Sequence, residues 1–134
     1  MNDQPRIEDA VAIVPVRDVR ATMDFYGDVL GFERRFVSVD AKFAIAVHGD
    51  AAVHFVASDD ADALRATANN ISIYLWVVGI DQLFAAYEPQ LQTLPSDRVR
   101  APFDQPYGMR EFHIKDPDGC LLMFGEEIAG DEHD

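Results

Sequence analysis

The chain repeats itself, and that repeat limits the possible folds more than any other feature. Residues 11–17, VAIVPVR, form a short run rich in Val and Ile, as a strand requires. Asp18 follows in a helix N-cap position. Val19, Met23, Tyr26 and Leu30 then recur at spacings of 4, 3 and 4, one apolar face of a helix, and Gly31 stands where a left-handed cap ends it. A shift of 61 residues carries Val14, Val16, Val19, Met23, Tyr26 and Leu30 onto Leu75, Val77, Ile80, Phe84, Tyr87 and Leu91. A shift of 69 carries Phe43, Ile45 and Phe55 onto Phe112, Ile114 and Phe124, and His54 onto Met123.

Each half therefore reads strand, helix, strand, strand, strand. The expected strands are 11–17, 33–39, 42–48 and 51–57, then 71–77, 97–101, 110–115 and 120–124. The second half has eight more residues before its third strand. They fall in the proline-bearing segment from Pro95 to Met109, expected as a long ordered loop. One half is too small to bury its own sheet, so two must pair. The expected fold is α+β, with a first βαβββ module and N-terminal arm over 1–62, a second over 63–128, and a solvated tail over 129–134.

Composition narrows the partners. Eleven Lys and Arg against 24 Asp and Glu give a net charge of −13. Such a surface is repelled by phosphate backbones and anionic lipid, which argues against nucleic acid and membrane as partners. The one cysteine, Cys120, excludes an internal disulfide and a cysteine zinc cluster. The charged start, MNDQPRIEDA, has no apolar stretch of a signal peptide, which points to a cytoplasmic protein. No phosphate-binding glycine loop or GxSxG elbow is present. Cys120, after a turn at a strand start, reads as a small packed residue.

Three segments, VPVRDVRATMDFYGDVLGFE (14–33), GDAAVHFVASDD (49–60) and GMREFHIKDPDGCLLMFGE (108–126), resemble the vicinal oxygen chelate superfamily of glyoxalases, extradiol dioxygenases and bleomycin-resistance proteins. The resemblance covers almost the whole chain and is nearest to the bleomycin-resistance type. It implies two curled half-barrel sheets with helices on the convex side and a ligand cup on the concave side. It also implies a homodimer with clefts at the subunit interface and an exchanged N-terminal segment. Pro15 suits that arrangement, because a strand interrupted by proline must lie at an edge or break. DPDG itself reads as a hairpin turn.

Enzymes of the superfamily hold a divalent metal in the cup. Carried across, the ligand positions are Val11, His54, Ser72 and Met123, of which only His54 is a competent donor. A relocated site for Zn, Ni, Mn or Fe would need His54, His113 and Glu111. The expectation is a binding protein without a cofactor. The alternative is a metal-dependent lyase, isomerase or dioxygenase, and a third reading is an acid–base enzyme using His113 or Glu111.

Strand alternation sorts the candidate ligand surface. Ser72, Tyr74 and Trp76 share one side of their strand, opposite Ile71, Ile73, Leu75 and Val77. Glu111, His113 and Lys115 are expected on the cup side, opposite Phe112 and Ile114. Repeat equivalence adds Lys42 and His54, with Met123 beside them. Phe36 is a further wall residue, and Phe103 and Tyr107 stand at the rim. Such a surface stacks planar groups and seats a cation over Trp76. The resemblance makes a bleomycin-type antibiotic the small organic ligand to consider.

Overall fold

The computed structural model describes residues 4–128. The chain forms β1 (Ala12–Val16), α1 (Val19–Asp28), β2 (Glu33–Val37), β3 (Phe43–His48), β4 (Ala51–Ala57), α2 (Ala61–Asn70), β5 (Ser72–Trp76), α3 (Ile80–Leu91), β6 (Val99–Asp104), β7 (Met109–Lys115) and β8 (Leu121–Glu127). These make two four-stranded sheets, ordered β1-β4-β3-β2 and β5-β8-β7-β6. The two tandem βαβββ modules and the α+β class are as the repeat requires. The expected tail, with His133, lies outside the described residues.

Local chemistry accounts for the helices. The Asp18 carboxylate accepts from Ala21 N–H at 3.0 Å and starts α1. Gly31 ends it at φ +74°, with Phe32 N–H bonded back to Tyr26 carbonyl. At α3 the cap comes from another element. Gly79 is left-handed at φ +84°, and the Glu126 carboxylate of β8 accepts from Gly79 and Ile80 N–H at 3.0 Å each. The sequence reading contained no α2. Asp60 caps it, but only Leu64 of the helix is buried, so its apolar face is too thin to show as periodicity. The helix crosses position 62, where the first module was expected to end.

Each sheet carries helices on one face only. Val14, Val16, Ala44, Ala46, Val53 and Phe55 meet Val19, Met23, Tyr26 and Leu30 of α1, and all are buried. In the second module Ile73, Phe112, Ile114, Leu122 and Phe124 meet Ile80, Tyr87 and Leu91 of α3. Phe112 and Phe124 stack at 4.5 Å between ring centres. Both sets belong to one core, and polar bonds tie the modules across it. Tyr87 Oη donates to Leu30 carbonyl at 2.6 Å, and Tyr26 Oη donates to Asp116 Oδ2 at 2.9 Å. Asp116 Oδ1 also accepts from Asp118 and Cys120 N–H, so the DPDG turn both reverses the chain and joins the modules.

Two expectations change. The segment from Pro95 to Met109 is not one long loop: a 3-10 turn at Ser96–Arg98 leads into β6, which overlaps the expected strand 97–101 and runs on to Asp104, and a turn at 105–108 follows. β6 is an edge strand whose pairing shifts between Arg100 and Phe103, so Pro102 needs no ladder donor. The second change is the repeat register at β3. Ile45 pairs with His54, and His113 pairs with Met123, so Ile45 corresponds to His113 at a shift of 68. The shift of 69 was one residue too far. A one-residue slip exchanges the faces of a strand, so Phe43 and Ile45 lie on the helix-free face and Lys42 does not. Lys42 precedes β3, exposed, with its backbone N–H bonded to Ser38 and Asp40. β1 is indeed an edge strand, as Pro15 demands, and pairs in parallel with β4 of its own chain.

Candidate functional site

The helix-free faces hold most of the residues singled out from the sequence. On the first sheet β2, β3 and β4 contribute Phe36, Phe43 and His54. Phe36 lies 6.1 Å from Phe43 between ring centres, and Phe43 packs edge-on to His54 at 5.4 Å. Ile13 of β1 pairs with His54 and is 62% exposed; Phe36 is 47% exposed. This face is apolar and open to solvent. Its one titratable strand residue at the centre is His54.

The second sheet differs. Its open face carries a continuous row from Arg100 through Phe103, His113 and Glu111 to Tyr74 and Trp76. The Arg100 guanidinium sits 3.5 Å above the Phe103 ring. Phe103 meets His113 edge-on at 5.1 Å, and Tyr74 meets Trp76 at 5.4 Å. Met123 lies between Tyr74 and His113 in the ladder. Ser72 begins β5, exposed, beside a groove of about 350 Å³ between the edges of the two sheets. Trp76 is 75% exposed and also borders a cavity of about 190 Å³ between the modules, with His48 and Phe32 on its far side.

Glu111 is the centre of the row. It is fully buried, and four groups donate to its carboxylate. Oε1 accepts from Gln105 Nε2 at 3.0 Å and faces His113 Nε2 at 2.8 Å. Oε2 accepts from the hydroxyls of Tyr74 at 2.8 Å and Tyr107 at 2.7 Å. An ionised carboxylate only accepts, so the His113 proton facing it is on Nε2. Burial alone would raise the Glu111 pKa. The bonds from His113, Gln105, Tyr107 and Tyr74 outweigh burial and hold it at about 2. The same contacts, with burial, push the Tyr74 and Tyr107 phenols upward. Each charge-assisted bond is worth about 1.5–3 kcal/mol.

Tyr74 reaches Glu111 only because Gly125 lies beneath it. A Cβ on Gly125 would stand 2.6 Å from Tyr74 Cζ and closer still to its hydroxyl. Sequence reasoning missed Gly125 and Gln105. Gly125 lies one residue beyond the expected end of its strand at 124, so its place inside β8 was not visible. Phe43 was missed through the register slip, and Arg100 had no signal until the bulge in β6 was known.

The metal expectations can be set against this geometry. Val11 has no donor, Ser72 is a neutral hydroxyl, and Met123 is a thioether, so the superfamily ligand positions do not fit a catalytic divalent ion. The relocated set is not brought together either. His54 stands on the first sheet, whereas His113 and Glu111 stand on the second and are bonded to each other. The four lone-pair directions of Glu111 are already taken. Among the described residues no three His, Cys, Asp or Glu side chains converge as a metal site.

The fold and this site define a class. The chain belongs to the Glyoxalase/Bleomycin resistance protein/Dioxygenase superfamily, whose family model matches residues 7–124. Within it, the chain is 27% identical over 132 residues to the bleomycin resistance proteins of Geobacillus stearothermophilus and Staphylococcus aureus, covering 89% of this chain and 96% of each relative. It is similar in structure to the bleomycin-binding protein from bleomycin-producing Streptomyces verticillus, solved with copper(II)-bleomycin. That match has a TM-score of 0.74 and 26% identity, and covers 96% of this chain and all of the other. A second bleomycin-binding protein, solved with bleomycin, aligns at a TM-score of 0.67 and 27% identity over 90% of this chain and 99% of that one.

Proposed function

We propose that this chain is a binding protein of the bleomycin-resistance type. It holds a bleomycin-like or other aromatic, cationic organic ligand on the helix-free faces and releases it unchanged. The observation that carries the reading is the row on the second sheet. Its only buried carboxylate, Glu111, is saturated by side chains of the protein, which leaves a fixed wall of rings for stacking rather than an unoccupied acid or base. Exposed Trp76 supplies a face for a planar or positive group, and the −13 charge attracts cations. The bleomycin-binding relatives support the ligand class.

In this reading the protein acts as a homodimer without a metal of its own, in the cytoplasm. Ile13, Phe36 and Trp76 leave large apolar area open on both sheets, the kind of surface a second subunit covers. No helix among the described residues is long and apolar enough to cross a membrane.

Isothermal titration with metal-free and copper-loaded bleomycin tests the ligand. Saturable heat is expected, with the drug recovered unaltered by mass spectrometry. Folded protein that gives no heat with either form removes the bleomycin assignment. A monomeric mass by light scattering at micromolar concentration removes the dimer. Stoichiometric Zn, Ni, Mn or Fe by elemental analysis, lost in His54→Ala, would instead favour the metalloenzyme.

A further inference from the structure

The charges of this chain are not spread evenly. Of its eleven basic residues, six arginines (Arg6, Arg17, Arg34, Arg35, Arg65 and Arg110) pair with carboxylates. Among the described residues five basic side chains form no such pair: Arg20, Lys42, Arg98, Arg100 and Lys115. Three of those five, Arg98, Arg100 and Lys115, line one cavity of about 230 Å³ with His113 on its wall. In a protein with 24 acidic residues, three cations left without carboxylates at one place require a reason.

Two of the cations are held by contacts that leave their charge unneutralised. The Arg100 guanidinium sits over the Phe103 ring at 3.5 Å, a contact that uses none of its N–H donors. Arg98 is fixed through Nε and Nη2 to the carbonyl of Lys115 at 3.1 and 2.9 Å. Pre-positioned donors lose less freedom when a ligand arrives. Arg100 also faces His113 across the β6–β7 ladder, and Lys115 lies two residues beyond His113 on the same face. One acid, Asp97, stands on the cavity wall and opposes an anion there.

We infer that this cavity, at the Lys115 end of the second sheet's open face, is an anion subsite that takes the carboxylate or phosphate of an aromatic ligand. Arg100 and Lys115 bind the anionic group, and the ring of Phe103 meets the aromatic body. The subsite rests on the reading of this face as the ligand surface. It goes beyond that reading's cationic ligand class, because it requires a ligand that also carries a negative group, held between Arg100 and Lys115.

The test is calorimetry with phenyl phosphate, phenylacetate and neutral phenylacetamide, with bleomycin titrated in parallel. Both anions are expected to bind at least tenfold more tightly than the amide. The Arg100→Gln/Lys115→Gln double variant is expected to lose at least tenfold in anion affinity. Asp97→Asn is expected to tighten anion binding severalfold, a gain that misfolding cannot produce. The ratio of phenyl phosphate to phenylacetate affinity identifies which anion the site prefers. Equal binding of anion and amide, or unchanged anion affinity in the double variant, overturns the subsite. A changed subunit mass in that variant with unchanged anion affinity assigns the cations to a subunit contact and also overturns it. If bleomycin binds and the anions do not, the subsite alone fails. If the anions bind and bleomycin does not, the bleomycin assignment alone fails.

Discussion

The ring of Tyr74 lies over Gly125, its Cζ 2.6 Å from where a Cβ would stand, and this overlap brings its hydroxyl to within 2.8 Å of Glu111. The glycine thus decides whether the buried carboxylate keeps its fourth donor. Gly125→Ala is expected to expel Tyr74 and destabilise the protein by about 1–3 kcal/mol. Tyr74→Phe, which removes the hydroxyl but keeps the ring, is expected to cost less. Urea unfolding of both variants checks the order, and a neutral Gly125→Ala would contradict the packing.

The Glu111 carboxyl is held at about 2, below the usual carboxylate value near 4.5. A group depressed on folding stabilises the protein above its unfolded pKa, and that share is lost as pH falls from about 4.5 toward 2. Glu111→Gln is expected to flatten the acid limb of stability against pH over that range. Glu33, Asp40 and Glu126 are also lowered and act equally in both proteins. Urea midpoints from pH 7 to 2.5 provide the comparison, and parallel curves would refute the assignment.

Asp116 behaves in the opposite sense. Burial raises its pKa, against the bonds from Tyr26 and the turn amides. Its ionised form is therefore disfavoured on folding, and its contribution falls as pH rises through the interval above the unfolded value near 3.8. Tyr26→Phe removes the hydroxyl donor to buried Oδ2 and is expected to cost about 1–3 kcal/mol at pH 7. The loss is expected to shrink as pH falls, because burial favours the protonated form of Asp116. Thermal unfolding at pH 7 and pH 4 measures both.

Burial pushes the Cys120 thiol up to about 12, helped by Asp116 and Asp118. The native protein is expected to resist iodoacetamide at pH 8 and to label fully in denaturant. Rapid labelling of folded protein would show that the thiol is accessible.

Trp76 is the only tryptophan and is 75% exposed. Its fluorescence is expected to be quenched readily by acrylamide in the free protein and protected once bleomycin is bound. Trp76→Ala is expected to weaken binding about 2- to 30-fold, the range of one cation–π contact. Unchanged affinity would move the ligand away from this residue.

The repeat made the fold legible because apolar spacing is a local property. Val14, Met23, Tyr26 and Leu30 face the core for the reason that Leu75, Phe84, Tyr87 and Leu91 face it, and their alternation is visible without any contact. Alternation likewise placed Tyr74, Trp76, Glu111 and His113 on one face. It failed at β3, where Phe43 and Ile45 matched Phe112 and Ile114 in type but not in register. Two apolar neighbours look alike in a sequence, whereas pairing with His54 separates them. The short α2 and the far half of β6, beyond the expected strand 97–101, were hidden for a related reason, since a thin apolar face and a proline both resemble a loop.

The sequence by itself determined the doubled βαβββ plan, the faces of β5 and β7, and the poor match of Val11, Ser72 and Met123 to a catalytic metal. Those follow from side-chain type and from periods of 2 and 3.6 residues, which each segment carries alone. Only the tertiary structure decided that Glu111 has four donors from three segments, that Gly125 makes room for one of them, and that Arg98, Arg100 and Lys115 share one cavity. These are distances between strands and turns remote in the chain, set by ladder register and one bulge rather than by any local pattern.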